Sequence, residues 1–313
     1  MKSNDITRKI LIPIKRTGVG DICGGSFSGA QIMSEMLPRL EKARNTVDSA
    51  ASLSGLSSGF EYLDKMIDGF HPGELIVVAG RPSMGKRKFV WQITMHVACE
   101  LKQTVAYFST GTSRTSLLQN MTAYATQIDG YRLRHNQLNE QEWQSFTLAA
   151  QKIANSPLII NDNSADPSVI RKEARLLCES DHAPSLIVVD DIPGQGDTSS
   201  AIGRRISNMS ANVFRIARNN GIPVITLAGV SREVESRKCK YPLLSDVASA
   251  DGLQWYADTV IALYRDAVYN PETKEKDTTH MSILKSFYGC IGGFDMLKST
   301  DGIYSSAHPN LII

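Results

Sequence analysis

Short runs of β-branched and aliphatic residues alternate with longer amphipathic stretches from Gly55 onward. Such short apolar runs are typical of strands buried on both faces of a parallel sheet, and the longer stretches are typical of helices. The pattern predicts strands at LIVVA (75–79), TVAYFS (104–109), LIIN (158–161), LIVVD (186–190), PVITLA (223–228), TVIALYR (259–265) and HMSILKS (280–286), and helices near 86–100, 113–126, 140–155, 167–181 and 203–220. Their alternation predicts an α/β fold, a mainly parallel sheet flanked by helices.

The part of the chain before Gly55 has a different pattern. Residues 1–30 contain the Gly/Ser-rich stretch TGVGDICGGSFSG and are predicted to form a flexible tail. From Gln31 to Thr46, apolar residues recur at near-helical spacing, which predicts one amphipathic helix before the Ser-rich stretch DSAASLSG. We therefore expect a tail at 1–30, a helix with its linker at 31–54, and one large domain at 55–313.

Composition narrows the function classes only slightly. The formal net charge of +2 is too small to indicate nucleic-acid binding by itself. The five cysteines are widely separated and lack metal-ligand spacing, which favours reduced thiols and a cytoplasmic location. No apolar run is long enough for a membrane span, and the N-terminus lacks a secretory signal pattern, so we expect no membrane association.

The stretch GRPSMGKRK, which follows the first predicted strand, has the spacing of a phosphate-binding loop. In the pattern GxxxxGK[ST], backbone N–H groups surround the phosphates, the lysine reaches the terminal ones, and the hydroxyl holds Mg²⁺. Here Arg87 replaces the hydroxyl residue. The sequence therefore predicts a site for ATP or another nucleotide that lacks one magnesium ligand, formed by Gly80, Ser83, Gly85, Lys86, Arg87 and Lys88.

Asp190 ends the strand LIVVD, where a Walker B carboxylate would contact a metal ion through water. Two arrangements are open. Asp190 contacts Mg²⁺, if any is bound, or it pairs with Arg87 and thereby fills the metal position with an ion pair.

Several longer stretches resemble one protein family. They are GLSSGFEYLDKMIDGFHPGELIVVAGRPSMGK, LNEQEW, LIVVD, GIPVI, SREVESRKCKYPLLSD and ADTVIALYRDAVYNPETKEK. Together they cover most of Gly55 to Asp301 and resemble the C-terminal RecA-like motor domain of the DnaB-type replicative DNA helicases. The resemblance implies a P-loop NTPase fold, ATP and single-stranded DNA as ligands, and assembly into rings. The predicted helix at Gln31–Thr46 lies where the family has a linker helix that docks on the adjacent subunit.

The chain departs from this family at the positions that carry the chemistry. Gly111 replaces the glutamate that activates water, and Gly229 replaces a polar sensor. Phe287 replaces the arginine finger that reaches the neighbour's γ-phosphate, although Lys285 beside it remains. A general base is therefore missing, unless Asp191 acts as a relocated one.

Trp255 and Tyr256 stand at positions that are charged in the family. We expect them to pack in the core, and the alternative is an apolar contact surface.

The family has two loops that contact DNA; the segment SREVESRKCKYP resembles one of them, and a second segment lies near the other. Cations there are candidates for contacts to phosphate: Arg232, Arg237, Lys238 and Lys240 in one segment, and Arg204 and Arg205 in the other. The alternative is a solvated charged loop, because Glu233 and Glu235 interleave with the first set.

These observations favour a DnaB-like protein with a degenerate ATPase site. Its expected role is that of a non-hydrolysing partner or regulator of a replicative helicase, or of another replisome protein, in a homo-oligomeric or mixed ring. Two alternatives stay open: an active ATP-dependent 5′ to 3′ DNA helicase with rearranged catalytic residues, and a single-stranded DNA-binding module.

Overall fold

The computed structural model describes residues 28–45, 53–190, 200–247, 252–298 and 304–306. The chain divides into two units, Met1–Ser52 and Leu53–Ile313. In the first unit, helix α1 spans Gly29–Asn45, close to the predicted helix at Gln31–Thr46. Residues 1–27 of the predicted tail lie outside the described residues.

The described part of the second unit is an α/β structure. Its strands are β1 Leu75–Ala79, β2 Val105–Ser109, β3 Leu158–Asn161, β4 Leu186–Asp190, β5 Val224–Ala228, β6 Thr259–Tyr264, β7 Thr278–Lys285, β8 Gly292–Lys298 and β9 Tyr304–Ser306. Its helices are α2 Glu61–Ile67, α3 Lys86–Met95, α4 Arg114–Ala125, α5 Gly130–Arg134, α6 Glu140–Ala154, α7 Pro167–Cys178, α8 Ser200–Asn220 and α9 Leu253–Tyr256. A π-helical turn, His96–Glu100, follows α3.

The strands form one sheet in the order β3-β2-β4-β5-β1-β6-β7-β8-β9. The neighbours from β3 to β6 pair in parallel, whereas β6 to β9 pair antiparallel. The prediction of a mainly parallel sheet is thus confirmed, and all seven predicted strands are present. Strands β8 and β9 were missed because GGFDMLK begins with two glycines and YSS is only three residues long.

Helices cover both faces of the sheet because successive side chains of each strand point to opposite sides. On one face, Ile76 and Val78 belong to a buried cluster that includes Phe89 of α3. On the other face, Leu75 and Val77 belong to a cluster with residues of α7 and α8. Full burial on both faces explains why β1, β2, β4 and β5 are continuous apolar runs.

Different candidate residues lie at the two ends of the parallel strands. The loop from Gly80 to Gly85 follows the end of β1 and lies at the carboxyl edge, where the parallel strands end. Strand β6 starts beside β1, with Thr259 opposite Ile76, and β7 runs back so that Lys285 pairs with Val260. Lys285 therefore lies at the amino edge, where the parallel strands begin.

Two further features concern the described part of the chain. None of its helices combines the length and the apolar content that crossing a bilayer requires. The cysteines it contains, Cys99, Cys178, Cys239 and Cys290, are free thiols.

Candidate functional site

The loop after β1 has the backbone of a phosphate cradle. Gly85 adopts φ +92° immediately before α3, a left-handed conformation that suits glycine. Ser83 also has a positive φ, at +66°. The buried Met84 side chain anchors the loop, because its sulfur accepts a hydrogen bond from the Arg265 backbone N–H at 3.2 Å. The loop and the start of α3 thus hold their shape through backbone and packing contacts.

The Lys86 ammonium lies across this loop. Its Nζ donates to the Gly80 carbonyl at 2.5 Å and to the Arg81 carbonyl at 3.3 Å. A phosphate group bound in the loop would have to replace at least one of these contacts. Lys88 points elsewhere, since its Nζ lies 5.9 Å from the centroid of the Tyr124 ring.

Arg87 and Asp190 form an ion pair, which decides between the two arrangements left open by the sequence. Arg87 Nε lies 3.1 Å from Asp190 Oδ1. The Asp190 side chain is 2% exposed, whereas that of Arg87 is 42% exposed. The carboxylate is thus buried against a cation of the protein itself.

The surroundings of Asp190 keep it in this position. Thr110 Oγ1 donates to the Asp190 backbone carbonyl at 2.7 Å. Burial, and after it the neighbouring Asp190 carboxylate, raise the pKa of Tyr107 well above its ordinary value, so this phenol keeps its proton. Trp91, one turn after Arg87 on α3, donates its indole N–H to the Tyr107 hydroxyl at 3.3 Å.

These residues do not fit a magnesium ion. A guanidinium stands at the position of the hydroxyl ligand, and the only carboxylate predicted to face the metal is already paired with it. Within the described ranges, no group of three or more His, Cys, Asp or Glu residues offers another metal site.

Gly111, where the family resemblance predicts a general base, lies in open space. Apart from the two neighbouring residues of the chain, no atom lies within 4 Å of a Cβ built on Gly111, so a side chain can begin there without a clash. Asp191, the candidate for a relocated base, lies outside the described residues.

Lys285 and Phe287 lie far from the phosphate loop of their own chain, because they belong to the amino edge. Lys285 Nζ donates to the Gln254 carbonyl at 3.1 Å. Phe287 is 74% exposed. The turn that carries it is held against α2: Cys290 N donates to the Met66 carbonyl at 2.8 Å, and a Cβ on Gly289 would lie 2.0 Å from that oxygen.

The expectation of core packing for Trp255 is wrong. Trp255 is 80% exposed, because α9 is a single turn that buries Leu253 and directs Trp255 to solvent. Tyr256 is half-buried and packs on the core cluster that α7 and α8 cover, with its ring 5.3 Å from that of Phe214.

Trp255, Phe287 and Ile291, all strongly exposed, lie in segments at the amino edge. We call these three residues the apolar edge set.

The candidate DNA-binding cations of SREVESRKCKYP differ in their surroundings. Arg237 is held in an ion pair with Asp246 and also donates to the Tyr241 carbonyl. Lys240 is half-buried, and its Nζ donates to the Arg237 carbonyl at 3.2 Å. Arg232 and Lys238 are exposed. The contact between this segment and DNA stays a prediction. Among its four candidate cations, the exposed ones are Arg232 and Lys238.

Arg204 and Arg205 belong to α8, which begins at Ser200 and therefore earlier than the predicted 203. Their side chains lie outside what the structure describes.

One connection was not predicted from the sequence. Arg81 Nε donates to Glu235 Oε1 at 2.8 Å, and its Nη1 donates to the Val230 carbonyl at 3.0 Å. The phosphate loop is thereby linked directly to the segment that carries Arg232 and Lys238. The sequence signals this contact only through Glu235, which lies among these cations.

Comparison with known proteins agrees with this architecture. The family model described as DnaB-like helicase C terminal domain matches residues 55–301. The replicative DNA helicase DnaB of Geobacillus stearothermophilus is 33% identical over 244 residues, which cover 77% of this chain and 54% of that protein. The replicative DNA helicase DnaC of Bacillus subtilis (strain 168) is 33% identical over 246 residues, again 77% and 54%. The chain thus spans about half the length of the curated relatives it matches.

Solved structures show the same fold. One of them, an isolated ATPase domain, superposes with a TM-score of 0.79 at 24% identity, with 91% of this chain and 100% of that chain covered. A DnaB-like replicative helicase, solved in a study of its interactions with primase, has a TM-score of 0.76 at 23% identity, with 91% and 68% covered. The RadB recombinase has a TM-score of 0.51 at 21% identity, with 81% and 100% covered. These likenesses confirm the RecA-like fold.

Proposed function

The chain belongs to the family of DnaB-like helicase C-terminal domains, a replicative helicase family of DNA replication, and from this premise we propose that it is a non-hydrolysing partner of a replicative helicase. The observation that carries the proposal is the ion pair between Arg87 and Asp190. Hydrolysis in this family needs a metal and a water-activating base. Here Asp190, the carboxylate that would contact the metal, is paired with the Arg87 guanidinium, and Gly111 supplies no base.

Nucleotide binding does not require those groups. The residues that would hold the phosphates are the backbone of Gly80 to Gly85 and the Lys86 ammonium, once it leaves the loop carbonyls. A bound ATP would supply negative charge at the start of α3, which the helix dipole and the adjacent cations stabilise. The proposed state of the protein is therefore nucleotide-bound without turnover.

A replicative helicase is the proposed partner because both chains would have the same RecA-like domain. A ring built from such domains joins the phosphate loop of one subunit to the amino edge of the next, where Lys285 of this chain lies. The exposed apolar edge set supports such an association, since large exposed apolar side chains mark protein interaction sites. A ring that includes this chain would contain sites that cannot hydrolyse ATP.

Mixing this protein with the replicative helicase of the same host tests the proposal. We expect the two chains to co-elute in size-exclusion chromatography with light scattering. We also expect equimolar protein to lower the helicase ATPase rate per helicase subunit at least about twofold, because a hydrolysing site requires a complete neighbour.

The matched control is the variant Trp255→Ser/Phe287→Ser, which removes the exposed rings without changing the phosphate loop and should lose both effects. Separate elution, together with an unchanged helicase rate, would rule out the partnership.

Single-stranded DNA is a second proposed ligand, supported by the exposure of Arg232 and Lys238 on a loop linked to the phosphate loop. Fluorescence anisotropy with an oligo-dT probe over a salt series measures it. For Arg232→Ala/Lys238→Ala we expect the slope of log K against log salt to become shallower by about 1.4, since each contact to a single strand contributes about 0.7.

The control for this measurement removes two cations from other surfaces, Lys65→Ala/Arg175→Ala, whose side chains pair with acids within four residues along the chain. An equal change of slope in both double variants would mean that the loop makes no specific contribution.

A further inference from the structure

We infer that the phosphate loop binds the phosphates of a nucleotide without a magnesium ion, and that the Arg87 guanidinium takes the place of the metal. This inference rests on the proposed function, because it concerns the same site. It specifies which cation neutralises the phosphates there.

The position of Arg87 is the first reason. It directly follows Lys86 at the start of α3, the end of the helix that faces a bound phosphate. Its Nε contacts the buried Asp190 carboxylate at 3.1 Å, and 42% of its side chain remains exposed. A cation is thus held between a buried acid and the surface at which phosphates would bind, as a metal ion is in an ordinary phosphate loop.

The chemistry of the guanidinium is the second reason. It carries five N–H donors in a fixed plane, so one group can bind a carboxylate and a phosphate oxygen together. Hydrogen bonds between charged partners of this kind are short and strong. Arg87 can therefore bridge Asp190 and a phosphate, the role that a hydrated metal fills when a hydroxyl residue follows the lysine.

The third reason is that a magnesium ion would have to displace this arrangement. The Asp190 residue is buried, its backbone carbonyl accepts from Thr110, and Tyr107 beside it keeps its proton because its pKa is raised. Contact between Mg²⁺ and Asp190 would require the carboxylate to leave the Arg87 guanidinium, so the metal has to compete with an ion pair that the protein already makes. The Arg87 guanidinium would also repel a divalent cation that approaches the same carboxylate.

The test compares the binding of a fluorescent, non-hydrolysable ATP analogue to the full chain in excess EDTA and in excess MgCl₂. We expect the two dissociation constants to agree within about threefold, which is less than about 1 kcal/mol. Binding that appears only with MgCl₂ would overturn the inference, and so would an absence of binding in both buffers. This comparison uses the unaltered protein and does not depend on a variant that folds.

The variant Arg87→Thr restores the hydroxyl and leaves Asp190 without its cation. In EDTA we expect it to bind the analogue at least about tenfold more weakly than the unaltered protein, because a charge-assisted contact is lost. MgCl₂ should recover most of that loss and should also raise the melting temperature of this variant in the presence of the analogue. A variant that binds equally well in both buffers would show that Arg87 is not the neutralising cation.

Arg218→Thr is the matched control. Arg218 also extends from a helix to a buried carboxylate, with Nη2 2.6 Å from Asp258 Oδ1 and side-chain exposures of 44% and 10%. That pair lies at the amino edge, where Asp258 also accepts from the Leu75 backbone N–H. This variant should lose stability but bind the analogue equally in both buffers, which separates a general loss of folding from a change at the phosphate site.

The two proposals fail in different ways. DNA-stimulated ATP turnover together with binding in EDTA would remove the proposed function and leave this inference standing. Binding that requires MgCl₂, without any turnover, would do the reverse.

Discussion

Purified protein is expected to hydrolyse ATP no faster than buffer, with or without single-stranded DNA. A general base contributes about 10² to 10⁴ in rate, and an arginine finger contributes about 10³ to 10⁵. The family resemblance predicts that Gly111 and Phe287 stand at these two positions. Even the lower ends of both ranges place turnover about 10⁵-fold below that of a complete helicase site. A coupled steady-state assay with an oligo-dT strand measures it.

Two variants make this assay decisive. Lys86→Ala removes the phosphate-binding ammonium, so any activity that persists in it comes from a contaminating ATPase. Gly111→Glu meets no clash at its Cβ outside the neighbouring residues, and it should stay inactive because Arg87 and Phe287 still stand at the predicted metal-ligand and finger positions. DNA-stimulated turnover that disappears in both Lys86→Ala and Asp191→Asn would contradict the prediction and identify Asp191 as a relocated base.

Phe89→Ala should lower the free energy of unfolding by about 3 to 5 kcal/mol, the usual cost of removing a buried phenyl ring. Phe89 is fully buried on α3, and its ring lies 4.7 Å from that of Phe60. The helix that begins with Lys86 and Arg87 is therefore fixed to the core by this residue. Urea denaturation, followed by circular dichroism, gives the change from the midpoint at a constant slope.

Phe89→Leu is the control, since it keeps most of the buried volume and should cost less than about 1.5 kcal/mol. A loss below about 1 kcal/mol in Phe89→Ala would mean that the ring is not enclosed as described. An intact nucleotide affinity in Phe89→Leu would also show that the packing beneath the loop, rather than the aromatic ring itself, supports the site.

Local patterns were enough to predict most of the sheet and the phosphate loop. Strands β1, β2 and β4 are recognisable because each is a short apolar run that is buried along its whole length. The hairpin partners at the antiparallel end were harder to predict. Strand β8 is one example: its glycines suit close packing against β7 rather than an intrinsic preference for strand.

Exposure was the property that the sequence predicted least well. Trp255 is a large apolar residue, for which the sequence favours core packing over an apolar contact surface. The single turn of α9 directs the Leu253 and Trp255 side chains in opposite directions, and only one direction leads into the protein. Likewise, Arg237 and Lys238 are neighbours in a cationic run, yet Arg237 pairs with a buried carboxylate whereas Lys238 is exposed.

The order of the amino acids determined the fold family and the phosphate-loop motif, and it predicted the loss of two catalytic groups at Gly111 and Phe287, because each of these depends on which residues are adjacent along the chain. Which charges meet depended instead on the folded molecule. Arg87 and Asp190 are 103 positions apart, and Arg81 and Glu235 are 154 apart. Strand order brings such residues to one edge of the sheet, and the buried Asp190 carboxylate then requires the cation that lies within reach.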